Sequence, residues 1–405
     1  MTSTELGELP PDWPVQRFDS LFAVKQGKQV SAKNRVGENQ HPFLRTKNLA
    51  WGRLDLSDLD EMHFSDSEEK RLALMVGDLL VCEGGDIGRA AIWNGKLERC
   101  YYQNHLHRAR LKDQSLVDSL FVLYWLWYAF EVGGVYFGRG NVTTIPNLSQ
   151  SKLCELPLPV PSLPEQRRIA GVLDVLQRAI EQQKQLLAVT TELKRALLHQ
   201  HFSRGLRGEP QKQTEIGPMP KSWQVIKLGS IVNFQTGKLN SNAATPDGEF
   251  PFFTCSQETF RIDNYAFDTE AILLSGNNAQ GVYSVKHYKG KFNAYQRTYV
   301  ITLNDEGALP YSFLHQALSR SLDQLRVLSI GTSTKYLTLG VLQNLAFPRP
   351  EYEDAAVIGE NLHLLDQKLE LLAKKKNVLE DLFHTLLHQL MTAKIRVNNL
   401  DLTEF

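Results

Sequence analysis

Cysteine is scarce in this chain. Cys82, Cys100, Cys154 and Cys255 are the four in 405 residues, and no two form a Cys-x-x-Cys pair. Neither a zinc site nor a disulfide framework is expected, and a reducing, cytoplasmic setting fits. Net charge is missing too: 45 Lys+Arg balance 45 Asp+Glu. That excludes a protein coating nucleic acid through bulk charge, but not one with a locally basic face. The longest apolar run, 120–130 with Trp125 and Trp127, is too short to span a bilayer and reads as a buried helix. Met1-Thr2-Ser3-Thr4-Glu5 lacks the basic and apolar regions of a signal peptide, so none is expected. Hydrophobic residues at 42% and charged residues at 22% exclude disorder.

Catalytic patterns are absent as well. Gly27-Lys28 and Gly237-Lys238 lack the context of a phosphate-gripping loop. Gly84-Gly85-Asp86-Ile87-Gly88 and Phe137-Gly138-Arg139-Gly140 do not sit in a strand–loop–helix unit with a downstream acid, so they read as turns. The 11 histidines contain no His-Glu-x-x-His. His105 and His107 alternate in a strand-like run, which places them on one side, but no further ligands accompany them. There is no Gly-x-Ser-x-Gly elbow. The Asn/Asp-Pro-Pro-aromatic tetrapeptide of amino-methyltransferases is also missing, Pro10-Pro11 being flanked by Leu9 and Asp12. The chain alone is therefore not expected to be an enzyme: no catalytic residue, metal ligand or cofactor site is assigned to it.

What is present is a repeat. Thr4-Glu5-Leu6-Gly7 recurs as Thr214-Glu215-Ile216-Gly217 at an offset of 210. Pro10, Trp13, Val15, Leu21, Gly27 and Lys28 recur at that offset as Pro220, Trp223, Val225, Ile231, Gly237 and Lys238. Gly140, Leu148, Pro157 and Pro159 pair with Gly331, Leu339, Pro348 and Pro350 at 191, and Leu-Leu-His-Gln at 197–200 recurs at 386–389. Between these shared edges, 51–110 has no evident match in 261–302. One frame with two unlike interiors suggests one scaffold carrying two specificities.

Each half begins as mixed short strands and helices. Strands are expected over 78–82, before the turn Glu83-Gly84-Gly85-Asp86, and over 90–93, before a hairpin turn at Asn94-Gly95. In the second half they are expected over 250–253, 271–275 and 298–302, with a turn at Gly276-Asn277-Asn278. Helices are expected over 119–131 and 311–325. Pro161 and Pro164 hold the chain extended, and Glu165 opens a long helix with negative charge at its N-terminus. Gly205, Gly208, Pro210, Gly217 and Pro218 mark a linker.

Two runs have the pattern of long helices. In the second, Ile358, Leu362, Leu365, Leu369, Leu372, Leu379, Phe383, Leu386 and Leu390 form a heptad seam, with Lys376 at the skipped position. The first has Ile169, Leu173, Leu176, Ile180, Leu187 and Leu197, with Gln183, Thr190 and Lys194 breaking the seam. Each is about 38 residues, so about 57 Å long. A helix exposing such a stripe is an aggregation liability, so the two are expected to pack on each other, antiparallel and with pseudo-two-fold symmetry. The competing arrangements are a coiled coil between two chains and two helices each packed on its own domain.

Sequence-specific DNA contact needs Lys and Arg for phosphates, and Arg, Asn and Gln for bidentate bonds to base edges. Polar and cationic residues beside glycines supply candidates at matched places in both halves. In the first half these are Lys28, Arg45, Lys47, Asn48, Gln103, Asn104, His105, Arg139, Asn141 and Thr143. In the second they are Lys238, Asn277, Asn278, Gln296, Arg297, Thr332, Ser333, Thr334 and Lys335.

The run Leu-Pro-Leu-Pro-Val-Pro-Ser-Leu-Pro-Glu-Gln-Arg-Arg-Ile at 156–169 resembles the phrase ending each target-recognition domain in specificity subunits of type I restriction–modification systems. Residues 198–209 resemble the end of their first conserved helix, and 214–223 the lead-in to their second domain. The second half departs at Asp354-Ala355, where Glu-Gln would match Glu165-Gln166.

The resemblance implies a mixed α/β fold: two repeated target-recognition domains separated by two long helices packed as an antiparallel coiled coil. The expected division is recognition domain 1 over 1–164, spacer helix 165–203, linker 204–219, recognition domain 2 over 220–352, spacer helix 353–393 and tail 394–405. It further implies double-stranded DNA as ligand, with each domain reading half of a bipartite, asymmetric site and the helices setting the spacer. Two modification subunits carrying S-adenosylmethionine and methylating adenine are the implied partners. Restriction subunits using ATP with Mg can join them. The alternative is a coiled-coil scaffold or decoy derived from such a subunit, binding proteins without specific DNA affinity.

Overall fold

The computed structural model describes residues 1–136, 147–278 and 281–397. The chain divides into two compact units, Met1–Gln183 with Lys375–Phe405, and Lys184–Lys374. The longer helices are α1 (Ser119–Trp127), α2 (Leu163–Arg204), α3 (Tyr311–Arg320) and α4 (Tyr352–Met391). Both divisions between units fall inside α2 and α4, so each unit holds a β-rich part and a portion of each long helix.

In the first unit, a four-stranded sheet runs in the order Ala90–Ile92, Leu79–Cys82, Leu106–Leu111, Phe22–Gln26. A three-stranded sheet beside it contains Tyr101–Tyr102, Gln40–Leu44 and Asp60–His63. Ala90–Ile92 pairs back onto Leu79–Cys82, so the hairpin is made at the Glu83–Asp86 turn. Asn94-Gly95 does turn, with Gly95 at φ 75°, but it sends the chain to the other sheet rather than closing a hairpin. Helix α1 is capped by Asp118, whose carboxylate accepts the N–H groups of Leu120 and Phe121. Phe121 through Leu126 are all buried, as suits a helix apolar on every face. Its expected continuation to 131 is a π-helical turn, Tyr128–Val132.

In the second unit, six strands form one sheet in the order Val232–Thr236, Thr298–Leu303, Phe267–Ser275, Val285–Ala294, Phe250–Phe253, Phe260–Ile262. The helix expected over 311–325 is broken at Ser321 into α3 and a short helix, Leu322–Leu328. The frame repeats. Thr4 and Thr214 each donate to the carbonyl of a left-handed glycine, Gly7 at 2.8 Å and Gly217 at 2.7 Å. Val15–Arg17 pairs with Pro157–Pro159 as Gln224–Lys227 pairs with Ala346–Arg349.

The long helices pack on each other within the chain. In the first unit Ile169, Leu173 and Ile180 of α2 share a core with Phe383, Leu387, Leu390 and Met391 of α4. In the second, Phe202 of α2 shares one with Ile358 and Leu362 of α4. The start of each helix meets the end of the other, so the pair is antiparallel. Leu176, Leu187, Leu197, Leu365, Leu369, Leu372, Leu379 and Leu386 are partly buried. The polar breaks lie in the seam rather than outside it: Gln183 and Thr190 are buried, and Lys194 pairs with Asp366. Helix α2 opens at Leu163, two residues before Glu165. Pro164 sits in its first turn, where the missing N–H costs nothing.

The departure at Asp354-Ala355 has a physical cause. Gln166 is fully buried, accepts the Asp118 N–H at 2.8 Å and donates to the carbonyls of Leu116 and Pro161. Ahead of α3 the cap position is Pro310, which has no N–H to satisfy. Ala355, also buried, fills the place with no polar group to pair. Glu165 accepts the indole N–H of Trp13 at 3.2 Å and the guanidinium of Arg396 at 2.6 Å. Its shorter counterpart Asp354 lies 3.9 Å from Arg207, and the buried Trp223 indole N–H has no partner among the described residues.

Candidate nucleic-acid interface

Each unit brings its glycine–lysine step against the strand entrance that follows the sheet. In the first, Lys28 bridges to Gln103, Asn104 donates its N–H to the Lys28 carbonyl at 2.9 Å, and Gln103 donates its own to Leu44. In the second, Leu239 bridges to Tyr295, Gln296 donates to Leu239 and Tyr295 to Phe253. A Cβ at Gly27 would run into the Gln103 carbonyl, and one at Gly237 into that of Ala294. Glycine recurs here because two backbones touch.

The side chains then diverge. Among the described residues of the first unit the candidate cations are neutralised. Lys28 is drawn inward, donating to Glu68 at 2.6 Å and to the His63 carbonyl at 2.7 Å, with its side chain only 10% exposed. Burial raises the Glu68 carboxyl, but the bonds from Lys28 and Ser65 outweigh it and hold the group below its ordinary range. Arg45 pairs with Asp60 at 2.9 Å, Lys47 with Asp58, and Arg89 with Asp86. Asn48 is buried: its side chain accepts the Arg45 N–H and donates to the carbonyls of Asp55 and Asp58. Lys28 and Asn48 thus fasten loops together in this structure rather than offering a free surface group. Gln103 is buried, Asn104 half-buried and His105 exposed, with Glu83 3.9 Å from the His105 ring. Arg139, Asn141 and Thr143 lie outside the described residues.

His105 lies in the turn before the strand Leu106–Leu111 and is exposed, whereas His107 lies within the strand. His107 is fully buried and bonded to the Leu148 carbonyl at 2.9 Å. Burial lowers its pKa, the bond to Leu148 opposing. Among the described residues no group of three or more His, Cys, Asp or Glu could hold a metal ion.

In the second unit the candidates assemble with their charges unmatched. Asn277-Asn278 is a short strand rather than the expected turn, pairing antiparallel with Lys335–Tyr336. The Arg297 guanidinium lies 5.4 Å from the centre of the Tyr336 ring, and the Arg297 carbonyl accepts the Gly276 N–H at 2.8 Å. The Cys255 thiol donates to the Asn277 side chain at 2.9 Å, and Gln296 donates to Asn240 at 2.7 Å. Thr332 and Ser333 are exposed, Thr334 half-buried, in the tip between the bridged residues Ile330 and Tyr336. Arg326 and Lys335 converge on Gly281, where a Cβ would stand 3.1 and 3.3 Å from their γ-carbons. Lys238, Arg297, Arg326 and Lys335 have no acidic partner among the described residues. Sequence reasoning missed Arg326, Asn240 and Cys255, and took Tyr336 only as the end of the candidate segment 331–336. Only the polar run after Lys238 and the position of Tyr336 next to Lys335 offered a signal.

The comparisons with known proteins agree with this frame. A family model described as "Type I restriction modification DNA specificity domain" matches residues 10–190 and 220–381. The chain is 37% identical over 154 residues to the Type I restriction enzyme EcoDI specificity subunit of Escherichia coli, covering 38% of this chain and 33% of that protein. It is 22% identical over 435 residues to the Type I restriction enzyme MjaVIII specificity subunit of Methanocaldococcus jannaschii, covering 97% and 95% of the two chains. The fold is that of the crystal structure of a type I restriction–modification S subunit from M. genitalium, with TM-score 0.71 and 20% identity over 96% of this chain and 99% of that one. With both halves of the repeat matched, the chain belongs to the type I restriction–modification DNA specificity family, as a non-catalytic specificity subunit.

Proposed function

We propose that the chain reads a bipartite, asymmetric site in double-stranded DNA, one half-site per recognition domain (1–164 and 220–352), and that the helices 165–203 and 353–393 set the spacer. The observation that carries this reading is a repeated frame with dissimilar faces. The same glycine–lysine step and strand bridge hold side chains paired with acids in one unit and unpaired cations in the other. Two unlike surfaces on one scaffold suit two unlike half-sites. The polar residues named above are the candidate contacts.

The helix pair also docks two modification subunits. Val357, Leu364 and Leu371 of α4, spaced by heptads, are 48%, 52% and 67% exposed, and Leu186, Val189 and Leu193 of α2 are 47%, 60% and 48% exposed. Such apolar stripes outside the seam suit protein partners. S-adenosylmethionine would reside on the modification subunits, and ATP with Mg on any restriction subunits. The few, widely spaced cysteines suit a cytoplasmic setting, and Cys82 and Cys100 are free, buried thiols. Among the described residues no helix is long and apolar enough to cross a membrane. Reconstituting the chain with adenine methyltransferase subunits and mapping the methylated sites tests the reading. Two short half-sites with a fixed gap are expected, and methylation without sequence preference would refute it.

A further inference from the structure

The second unit carries an arginine prepared for one kind of base, an inference that rests on the DNA-reading function proposed above. Arg297 stands at the entrance to the strand Thr298–Leu303. Its guanidinium lies over the Tyr336 ring, and no carboxylate competes for it among the described residues. Beside it runs the two-stranded ribbon of Asn277–Asn278 and Lys335–Tyr336, fixed at its outer end by the mutual hydrogen bonds of Ile330 and Tyr336 at 3.1 and 2.8 Å. The Leu337 N–H bonds to the Gly276 carbonyl at 2.8 Å, and the Tyr299 hydroxyl donates to the Leu337 carbonyl at 2.8 Å. Arg297 and Tyr336 are thus tied into one backbone network. A ring beneath a guanidinium limits its tilt, which matters for a planar fork and much less for a point charge.

A two-stranded ribbon is one of the shapes the major groove of B-DNA admits. Guanidinium has only donors. In that groove guanine offers two acceptors side by side, N7 and O6, whereas adenine offers an acceptor beside a donor. We infer that Arg297 reads a guanine in the half-site of the second unit and that Tyr336 is its positioning residue. Arg326 and Lys335, gathered around Gly281, hold the adjoining phosphates.

The test uses the full chain reconstituted with its modification subunits on a library of random duplexes, the methylated molecules being sequenced. For Arg297→Ala, discrimination at one G·C position in one half-site should fall by roughly 5- to 150-fold, the worth of a bidentate base contact, with the other half-site unchanged. Arg297→Lys keeps the charge and should not restore it. Tyr336→Phe should read as wild type, whereas Tyr336→Leu should relax the same position. Arg326→Ala should weaken binding evenly across sequences and flatten its salt dependence. If the wild type selects two half-sites but Arg297→Ala loses methylation evenly at all sequences, Arg297 is a phosphate contact and the inference fails alone. If Arg297→Lys retains full discrimination, the inference fails as well. If the wild type shows no bipartite selection, the proposed function fails, and this inference with it.

Discussion

The repeat places the same clamp twice in one chain and builds it well only once, which allows an internally controlled measurement. In the first unit Arg396 donates to Glu165 at 2.6 and 3.0 Å and to Asp12 at 2.6 and 3.3 Å, and lies over the Trp13 ring. The Glu165 side chain is 4% exposed and that of Arg396 30%. Removing one partner of a buried pair costs about 3–5 kcal/mol, because the other charge is left unpaired. Here water can reach Glu165 once the arginine is gone, and the Trp13 N–H remains, so about 2–3 kcal/mol is the better figure for Arg396→Ala. The matching pair, Arg207 with Asp354, spans 3.9 Å, and the Arg207 side chain is 83% exposed. Arg207→Ala should therefore cost no more than about 0.5 kcal/mol. Urea unfolding followed by tryptophan fluorescence suits the comparison: Trp13, Trp51, Trp93, Trp125 and Trp127 report the first unit, where Arg396 lies, and Trp223 reports the second, where Arg207 lies. Equal losses for the two variants, or a loss under about 0.5 kcal/mol for Arg396→Ala, would refute the reasoning.

Three further outcomes follow. Asp354→Glu lengthens the side chain towards the unpaired Trp223 indole, and should raise the stability of the second unit by about 1 kcal/mol; a loss in Trp223-reported unfolding would contradict this. His315 is neutral when folded, its ring meeting the Val285 carbonyl and the Gln316 amide, with Asp366, His287 and Lys194 nearby. Burial lowers it to about 4 from 6.5. The unfolded chain binds the proton first, so stability is complete above about pH 6.5 and lost as the pH falls towards 4. His315→Gln should flatten that slope, and an unchanged slope would exclude His315 as its source. Finally, a heptad inserted after both Gln185 and Lys374 lengthens each helix by about 10 Å. The spacer in the methylated site should grow by at most about three base pairs, with both half-sites retained; altered half-sites would show that the helices are not an independent spacer.

The frame was legible because its signals are periodic or repeated. The heptad leucines identified α2 and α4, and recurrence identified paired β-rich parts. The seam's polar breaks were visible but not their burial. Gln183 and Thr190 lie inside because neighbours on a helix impose the position whatever its polarity. The departure at Asp354-Ala355 was visible, but its cause was not: it depends on Pro310 standing where Asp118 stands in the other unit. The candidate site was less legible, because a cation's availability depends on partners distant in sequence. Nothing near Lys28 announces Glu68, and nothing near Arg297 announces Tyr336. Asn277-Asn278 reads as a turn after glycine until Lys335–Tyr336 arrives to pair with it.

The most direct test of the central claim is a map of adenine methylation by the chain reconstituted with its modification subunits, for the wild type and for a chimera with residues 220–352 exchanged for those of a relative. Two half-sites with a fixed gap are expected, only one of which changes in the chimera. A single continuous palindrome, or a chimera in which both half-sites change together, would contradict it.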